Sequence, residues 1–159
     1  MILLEGIAMC FWLLLICVVG IADGPQGLAT FYEKEVQDRL VEQGILTKEE
    51  IKKQGLVSSI ALFIPMFTLV PFMVYSINGA RGFLDGFVQL TSILMIMGLF
   101  DRLFIDWYWV GHTKAWVIPG TEDLRPYIPA LALKRKWLGT MIGYPLLAAL
   151  IAGIMHWIG

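Results

Sequence analysis

The chain has 159 residues, of which 58% are hydrophobic and 16% charged, and its mean hydropathy is +0.73. Soluble domains are about 45–50% apolar and about 25% charged, so long uncharged runs here predict an all-α membrane protein rather than a soluble domain. A net charge of −1 gives no argument for a nucleic-acid partner, and we expect none.

The first apolar run extends from Met1 to Ala22 and is interrupted only by Glu5. It lacks the basic beginning of a secretory signal, so it predicts a retained membrane span over about 2–22, with Glu5 near the outer interface. Cys10 and Cys17 would lie roughly 10 Å apart along this helix, too far for a disulfide. We expect two thiols in apolar surroundings.

Residues 23–55 predict a short helical hairpin on the membrane surface between the first two spans. Its first arm repeats apolar residues at helical spacing and has a glycine placed to end it; these residues are Tyr32, Val36, Leu40 and Gly44. Glu35 and Arg39 are spaced for an i,i+4 ion pair. Thr47 and Glu50 match a capping box, which predicts the start of a second short helix.

Three further spans are predicted, at about 56–77, 84–110 and 137–158, which makes a single domain with a four-transmembrane-helix bundle. Pro65 and Pro71 should kink the second span. The third apolar segment would be roughly 43 Å long against a bilayer core of about 30 Å, so it must tilt or protrude. Trp137 and Trp157 bracket the fourth span at the spacing of two aromatic belts.

The basic residues predict the orientation. Ten of the twelve Lys and Arg residues lie in the segments 23–55 and 112–136. The positive-inside rule therefore places both loops in the cytoplasm and both termini on the other side of the cell membrane. The partners expected from this placement are membrane lipids.

Small residues on the fourth span predict close helix packing. Gly139 and Gly143 form a GxxxG spacing, which Ala148 and Ala152 continue at i,i+4. Such residues let helix backbones approach closely in lipid. Packing within the chain and a homo-oligomer through Gly139 and Gly143 are the two interpretations.

The densest polar constellation follows the third apolar segment. On a regular helix, Asp101, Tyr108 and His112 fall within about 20° of one another, and Arg102 with Asp106 forms an i,i+4 ion pair. The same geometry separates Asp101 from Asp106 by about 140°, which argues against an aspartyl enzyme in which the two share a proton. The loop beyond adds further polar residues: Lys114, Glu122, Asp123 and Arg125.

These residues have two interpretations. One is a structural network of Asp–Arg pairs that ties the spans together. The depth of Asp101 and Arg102 is a separate question: they lie either near the cytoplasmic head groups or one to two turns inside the bilayer core, where ionisable groups are costly and indicate function. The other interpretation is a pocket in which Arg102, Lys114 and Arg125 hold an anionic head group while Asp101, Asp106 or His112 transfers protons. Tyr108, Glu122 and Asp123 complete the ligand-binding candidates; no metal-ligand spacing is present.

The leading functional hypothesis is therefore binding, or enzymatic modification, of an anionic amphiphile or lipid head group at the cytoplasmic leaflet. No nucleophile motif, P-loop or dinucleotide fingerprint identifies a reaction or a cofactor. Two alternatives are a small transporter or channel subunit with a path past Asp101, Arg102 and Glu5, and a scaffold that recruits a partner through the 29–54 hairpin.

Overall fold

In a computed structural model that describes residues 1–158, the chain is a bundle of four long helices with a shorter one between the first two. The described residues contain no strand. The long helices are α1 (Ile2–Gly20), α3 (Lys48–Ile77), α4 (Gly82–Val110) and α5 (Ala130–Ile158), and the short one is α2 (Lys34–Glu42). All four long helices are long and apolar enough to cross a membrane, as the sequence predicts.

Helix α4 is the centre of the bundle, and it packs most extensively against α1 and α5. We call the end that carries residues 21–47 and 111–129 the loop end, and the opposite end the termini end. Contacts fix the directions: Asp106 meets Lys136 near the loop end, and Glu5 meets Asn78 near the termini end. Helices α1 and α4 therefore run in one direction, and α3 and α5 in the other.

Large apolar side chains face outward along all four long helices, as expected of a surface that contacts lipid. Examples are Phe11 on α1, Ile64 on α3, Leu84 on α4 and Leu150 on α5, all more than half exposed. Between the helices, Leu90, Ile93 and Leu94 are fully buried on α4. The bundle is thus apolar inside and outside through its middle.

Three stretches of the long helices are π-helical: Phe72–Ile77, Asp101–Val110 and Gly139–Gly143. The first follows Pro71, which has no N–H to donate and crowds the carbonyl four residues back. Helix α3 is distorted at Thr68, between Pro65 and Pro71, where φ is −118°. The stretch Asp101–Val110 is the longest, and it reorganises the polar residues of α4.

The predicted hairpin between the first two spans is only partly present. Helix α2 ends at Glu42, and Gly44 follows with a φ of +69° that lets the chain reverse. Thr47 with Glu50 forms the predicted capping box. The helix that begins there is not a separate short element, because it continues into the second long helix as α3. Arg39 does not pair with Glu35 but with Asp123 of the distant loop, at 3.2 Å.

The last long helix begins earlier than the sequence predicts. Helix α5 starts at Ala130 rather than at Trp137, so the basic residues Lys134, Arg135 and Lys136 are helical and not part of a loop. The reason is that Pro129 precedes a run of good helix formers, Ala130 to Lys136, which extends the helix ahead of the apolar run. This shift places Lys136 on the face that meets α4.

The small residues of α5 form two groups that differ in their surroundings. Ala148 and Ala152 are fully buried within the bundle, whereas a side chain added at Gly139 or Gly143 would meet nothing within 4 Å. Close packing of α4 against α5 is instead found at Gly98, where a Cβ would collide with the Tyr144 ring and lie 2.8 Å from Thr140 Cγ2.

We predict that Gly98→Ala destabilises the bundle by about 1–3 kcal/mol, because the added methyl group must push α5 away from α4. Gly139→Ala is the matched control on the partner helix, and it should be neutral or slightly stabilising, since alanine favours helix over glycine. The measurement is the midpoint of unfolding by SDS in mixed micelles. Equal midpoints for the two variants would contradict the predicted close contact.

Candidate functional site

A cavity of about 300 Å³ lies at the loop end of the bundle, among α1, α3, α4, α5 and the two connecting segments. Such a volume is at the lower limit of typical ligand pockets, which run from about 300 to 1,000 Å³. Most of the wall is apolar or aromatic, and the charged residues form one group. The lining residues are Leu13, Ile16, Cys17, Leu28, Phe31, Tyr32, Ser58, Leu62, Asp101, Arg102, Ile105, Asp106, Val110, Trp116, Tyr127, Ile128, Lys136 and Tyr144.

The charged group of the cavity, which we call the ion cluster, consists of Asp101, Arg102, Asp106 and Lys136. The Arg102 guanidinium contacts both carboxylates, through Nη2 to Asp101 and through Nη1 to Asp106. Lys136 Nζ donates to the other Asp106 oxygen at 2.7 Å. The cluster holds two acids and two bases, so its formal charge is zero, and the side chain of Asp106 is only 4% exposed.

The π-helical geometry of Asp101–Val110 explains how one arginine reaches both acids. Hydrogen bonding from i+5 to i widens the turn, so residues that are five apart lie closer together around the axis than in a regular α-helix. The separation of about 140° expected for a regular helix therefore does not apply to this stretch, in which Arg102 contacts both Asp101 and Asp106. The predicted Arg102–Asp106 ion pair is present.

Because of the same change in helical phase, Asp101, Tyr108 and His112 do not share one face of α4 as predicted. Tyr108 is half exposed and its ring lies 5.8 Å from that of Phe104, outside the cavity. His112 is exposed at the end of α4, with Nδ1 2.6 Å from the Trp107 carbonyl oxygen. Of the three candidates for proton transfer, only Asp101 and Asp106 line the cavity.

The loop candidates are not brought to the cavity either. Lys114, Glu122, Asp123 and Arg125 are all exposed. Glu122 Oε2 accepts from the Gly120 N–H at 2.8 Å, and Asp123 pairs with Arg39. Both acids therefore shape the loop and fasten it to α2.

A cap of two chain segments, 25–32 and 116–128, covers the cavity at the loop end. Tyr32 is its centre: the hydroxyl donates to the Trp116 carbonyl oxygen at 2.8 Å, and the ring meets that of Tyr127 edge-on at 5.1 Å. The Tyr127 hydroxyl in turn bonds Thr121 Oγ1 at 2.9 Å and accepts from the Ile118 N–H. Burial, with the neighbouring Tyr127, raises the pKa of Tyr32, so the hydroxyl stays a donor.

Two buried donors at the cavity have no partner among the described residues. One is Arg102 Nε, and the other is Trp116 Nε1. Both residues line the cavity and are more than nine-tenths buried. Buried donors are nearly always satisfied in folded proteins, so these two N–H groups are unusual features of the residues that line the cavity.

The main residue that sequence reasoning missed is Lys136. Its signal was the helical spacing of Lys136, Thr140 and Tyr144, which continues into Ala148 and Ala152 as one face of α5. Tyr144 lines the cavity and Thr140 is buried beside it. The aromatic residues of the cap carried no comparable signal, because they lie in irregular segments.

Glu5 lies far from the ion cluster, at the termini end. It is not a water-exposed interfacial carboxylate, since it is only 6% exposed. Asn78 Nδ2 donates to Glu5 Oε2 at 2.9 Å and to Gln89 Oε1 at 3.0 Å, which ties α1 to the turn after α3 and to α4. Within residues 1–158, no three His, Cys, Asp or Glu side chains come close enough to hold a metal ion.

Fold and site together define an all-helical bundle whose four apolar helices can cross a membrane and enclose a cavity with a buried ion cluster. Comparison with known proteins gives no match to this chain among family models, curated proteins or solved structures. The cavity and its residues are therefore the features of the molecule that bear on its function.

We predict that the ion cluster is held by coupled interactions rather than by independent pairs. Lys136→Met leaves two acids with one arginine and should cost about 1–3 kcal/mol, less than a fully buried pair because Lys136 is partly exposed. Asp106→Leu should cost at least as much. The double variant keeps the balanced Asp101–Arg102 pair, so we expect it to be more stable than the sum of the two single losses implies.

This cycle is measured by SDS unfolding of the four proteins in mixed micelles. Lys134→Met, on the exposed side of the same helix, is the control and should have little effect. Additive losses in the double variant would show that Lys136 and Asp106 do not interact in the folded protein.

Proposed function

We propose that the chain is a multi-pass membrane protein that binds an amphiphilic molecule in the cavity. The apolar part of the ligand lies against the helix walls, and an acceptor-bearing head group, a phosphate or a carboxylate, lies against Arg102 and Lys136. The observation that carries the proposal is an apolar cavity that ends on a buried arginine whose Nε has no partner within residues 1–158.

The two parts of the cavity suit the two parts of such a ligand. Burying an apolar chain contributes roughly 0.8 kcal/mol per methylene group. A planar guanidinium offers a fork of donors to an oxyanion, and Lys136 adds a mobile charge whose side chain is one-third exposed. Trp116 supplies a further donor from the cap. The volume favours one slim apolar group over the two chains of a phospholipid.

Charge balance leads us to expect that the ligand binds together with a proton. An anionic head group brings a negative charge to a neutral cluster in a poorly hydrated place, which is costly. A proton taken up by Asp101 or Asp106 together with the ligand restores neutrality. These two acids are accordingly the groups that would transfer a proton if the bound molecule is also modified, while His112, outside the cavity, has no part in it.

Orientation belongs to the same proposal. The loop end carries the basic residues, so the positive-inside rule puts it, with the cavity and the cap, in the cytoplasmic leaflet of the cell membrane, and puts both termini outside. Helix α2 would then lie at the cytoplasmic face. The ligand would be held at the depth where lipid head groups lie.

The packing gives less support to the two alternatives. A transport path would have to cross the layer of Leu90, Ile93 and Leu94, which are fully buried apolar residues between the ion cluster and Glu5. A scaffold role for the 29–54 segment would need its apolar face to be free. Val36 and Leu40 of that face are instead buried in the core of this chain.

We predict that dodecyl phosphate stabilises the purified protein against thermal unfolding, by about 2.7 kcal/mol at a hundredfold excess over its dissociation constant. Leu62→Trp, which extends a ring into the cavity, should abolish that stabilisation. Its neighbour Phe63→Trp points outward and is the matched control. Arg102→Gln should weaken binding of the phosphate, and His112→Ala should leave it unchanged.

Inorganic phosphate and dodecanol are the companion ligands in this test. Neither alone should reproduce the stabilisation, because each supplies one half of the proposed interaction. Equal stabilisation of Leu62→Trp and the parent protein would show that the amphiphile binds elsewhere, and the proposal would then be wrong.

We predict that a cysteine introduced at Lys34 reacts with a membrane-impermeant maleimide only from the cytoplasmic side of vesicles, and one introduced at Arg81 only from the other side. Both parent residues are exposed, and the native Cys10 and Cys17 are buried. Inside-out and right-side-out vesicles supply the two directions. The reverse pattern would overturn the proposed orientation.

A further inference from the structure

A second hollow, of about 520 Å³, lies between α1 and α3 on the outside of the bundle. We call it the α1–α3 groove. Leu15 and Val19 of α1 and Val57 of α3 line it, and all three are about half exposed or more. Since both helices are long and apolar enough to cross a membrane, the open side of this groove faces the bilayer in the proposed arrangement.

The groove and the cavity share a wall. Ile16, Leu28 and Ser58 line both hollows. Ile16 comes from α1, Ser58 from α3, and Leu28 from the cap segment that closes the gap between them. These three residues therefore form a boundary that the groove and the cavity have in common.

Helix α1 packs much less extensively against α3 than against α4. The indole Nε1 of Trp12 donates to the Ala61 carbonyl oxygen at 2.9 Å, at the end of the groove that is farther from the loop end. Toward the loop end, Leu28 fills the space beside Gly20, where an added Cβ would lie 2.5 Å from Leu28 Cγ. The Leu28 side chain thus packs directly onto the backbone at the end of α1.

The groove is also amphipathic along its length. Lys53, Glu50 and Gln54 line it at the loop end, and Trp12, Val57 and Ala61 line it toward the middle of the bundle. A molecule with a polar head and an apolar chain, lying parallel to its neighbours in a leaflet, matches this order. The cationic Lys53 is exposed where an acidic head group would first arrive.

We propose that the α1–α3 groove is a lateral portal, through which a single-chain amphiphile passes from the bilayer into the cavity when Leu28 and its neighbours Ile16 and Ser58 move aside. The inference rests on the proposed function of the cavity and names the source of its ligand: the membrane leaflet rather than water. The head group slides from Lys53 past Ser58 to Arg102, and the chain follows between α1 and α3.

The test uses the full chain in phosphatidylcholine vesicles that contain a palmitic acid analogue with a mid-chain diazirine. Brief illumination at increasing times after mixing reports which peptides the probe has reached. Val57→Trp places a bulky ring in the groove without touching the cavity. Val88→Trp, an equally exposed lipid-facing valine on α4 that lines neither hollow, is the control.

In the parent protein and in Val88→Trp, labels should appear first on groove residues and then on cavity residues around Ile105 and Tyr144. In Val57→Trp the rate of cavity labelling should fall about tenfold, equivalent to about 1.4 kcal/mol in the barrier to entry. The final extent of cavity labelling should be unchanged, because the cavity itself is intact.

Other outcomes separate the two proposals. Cavity labelling at the parent rate in Val57→Trp overturns the portal and leaves the proposed function standing. Cavity labelling by a water-soluble octanoic acid analogue but not by the vesicle-borne probe does the same, since it shows entry from water. Labels confined to the groove in every protein overturn both, because the ligand then never reaches the ion cluster.

Discussion

The ion cluster is the constraint to which the loop end of this bundle is fitted. Charges buried at this depth are stable only if each has an opposite partner and enough hydrogen bonds. Arg102 meets that demand for Asp101 and Asp106 because the end of α4 is π-helical, and Lys136 completes it because α5 begins early enough to reach Asp106. The cap then limits the access of water. Helix phase, helix start and loop packing are thus matched to one set of charges.

Local signals in the sequence predicted local structure well. The four apolar runs became the four long helices, Thr47 and Glu50 formed a capping box, and Gly44 reversed the chain after α2. Each of these features depends on residues within one or two turns, so spacing alone carries the information. The Arg102–Asp106 ion pair was predicted for the same reason. The early start of α5 at Ala130 was missed, because the expected length of a bilayer span outweighed the helix-forming residues before Trp137.

The site was harder to predict, because its geometry depends on a rare helix type and on long-range contacts. A helical wheel of 100° per residue does not apply where hydrogen bonds run from i+5 to i. For this chain the wheel predicted that Asp101 and Asp106 lie on different faces and that Asp101 and His112 share one. The exposed loop charges Lys114 and Arg125 were candidates only because they were near in sequence. Lys136, distant in sequence and near in space, could be found only from the shared face of α5.

Stability alone gives no reason to combine an ion cluster with a cavity. Well-packed apolar residues often stabilise a protein as much as a buried ion pair does or more, and each unfilled volume costs packing energy. At Gly98 the packing of α4 against α5 has neither cost, because Tyr144 and Thr140 pack directly onto the α4 backbone. Two costs at one place, beside unpartnered donors on Arg102 and Trp116, are offset if a ligand fills the volume and accepts those hydrogen bonds. The sparse packing of α1 against α3 is compatible with the proposed portal, which tight packing of these two helices would close.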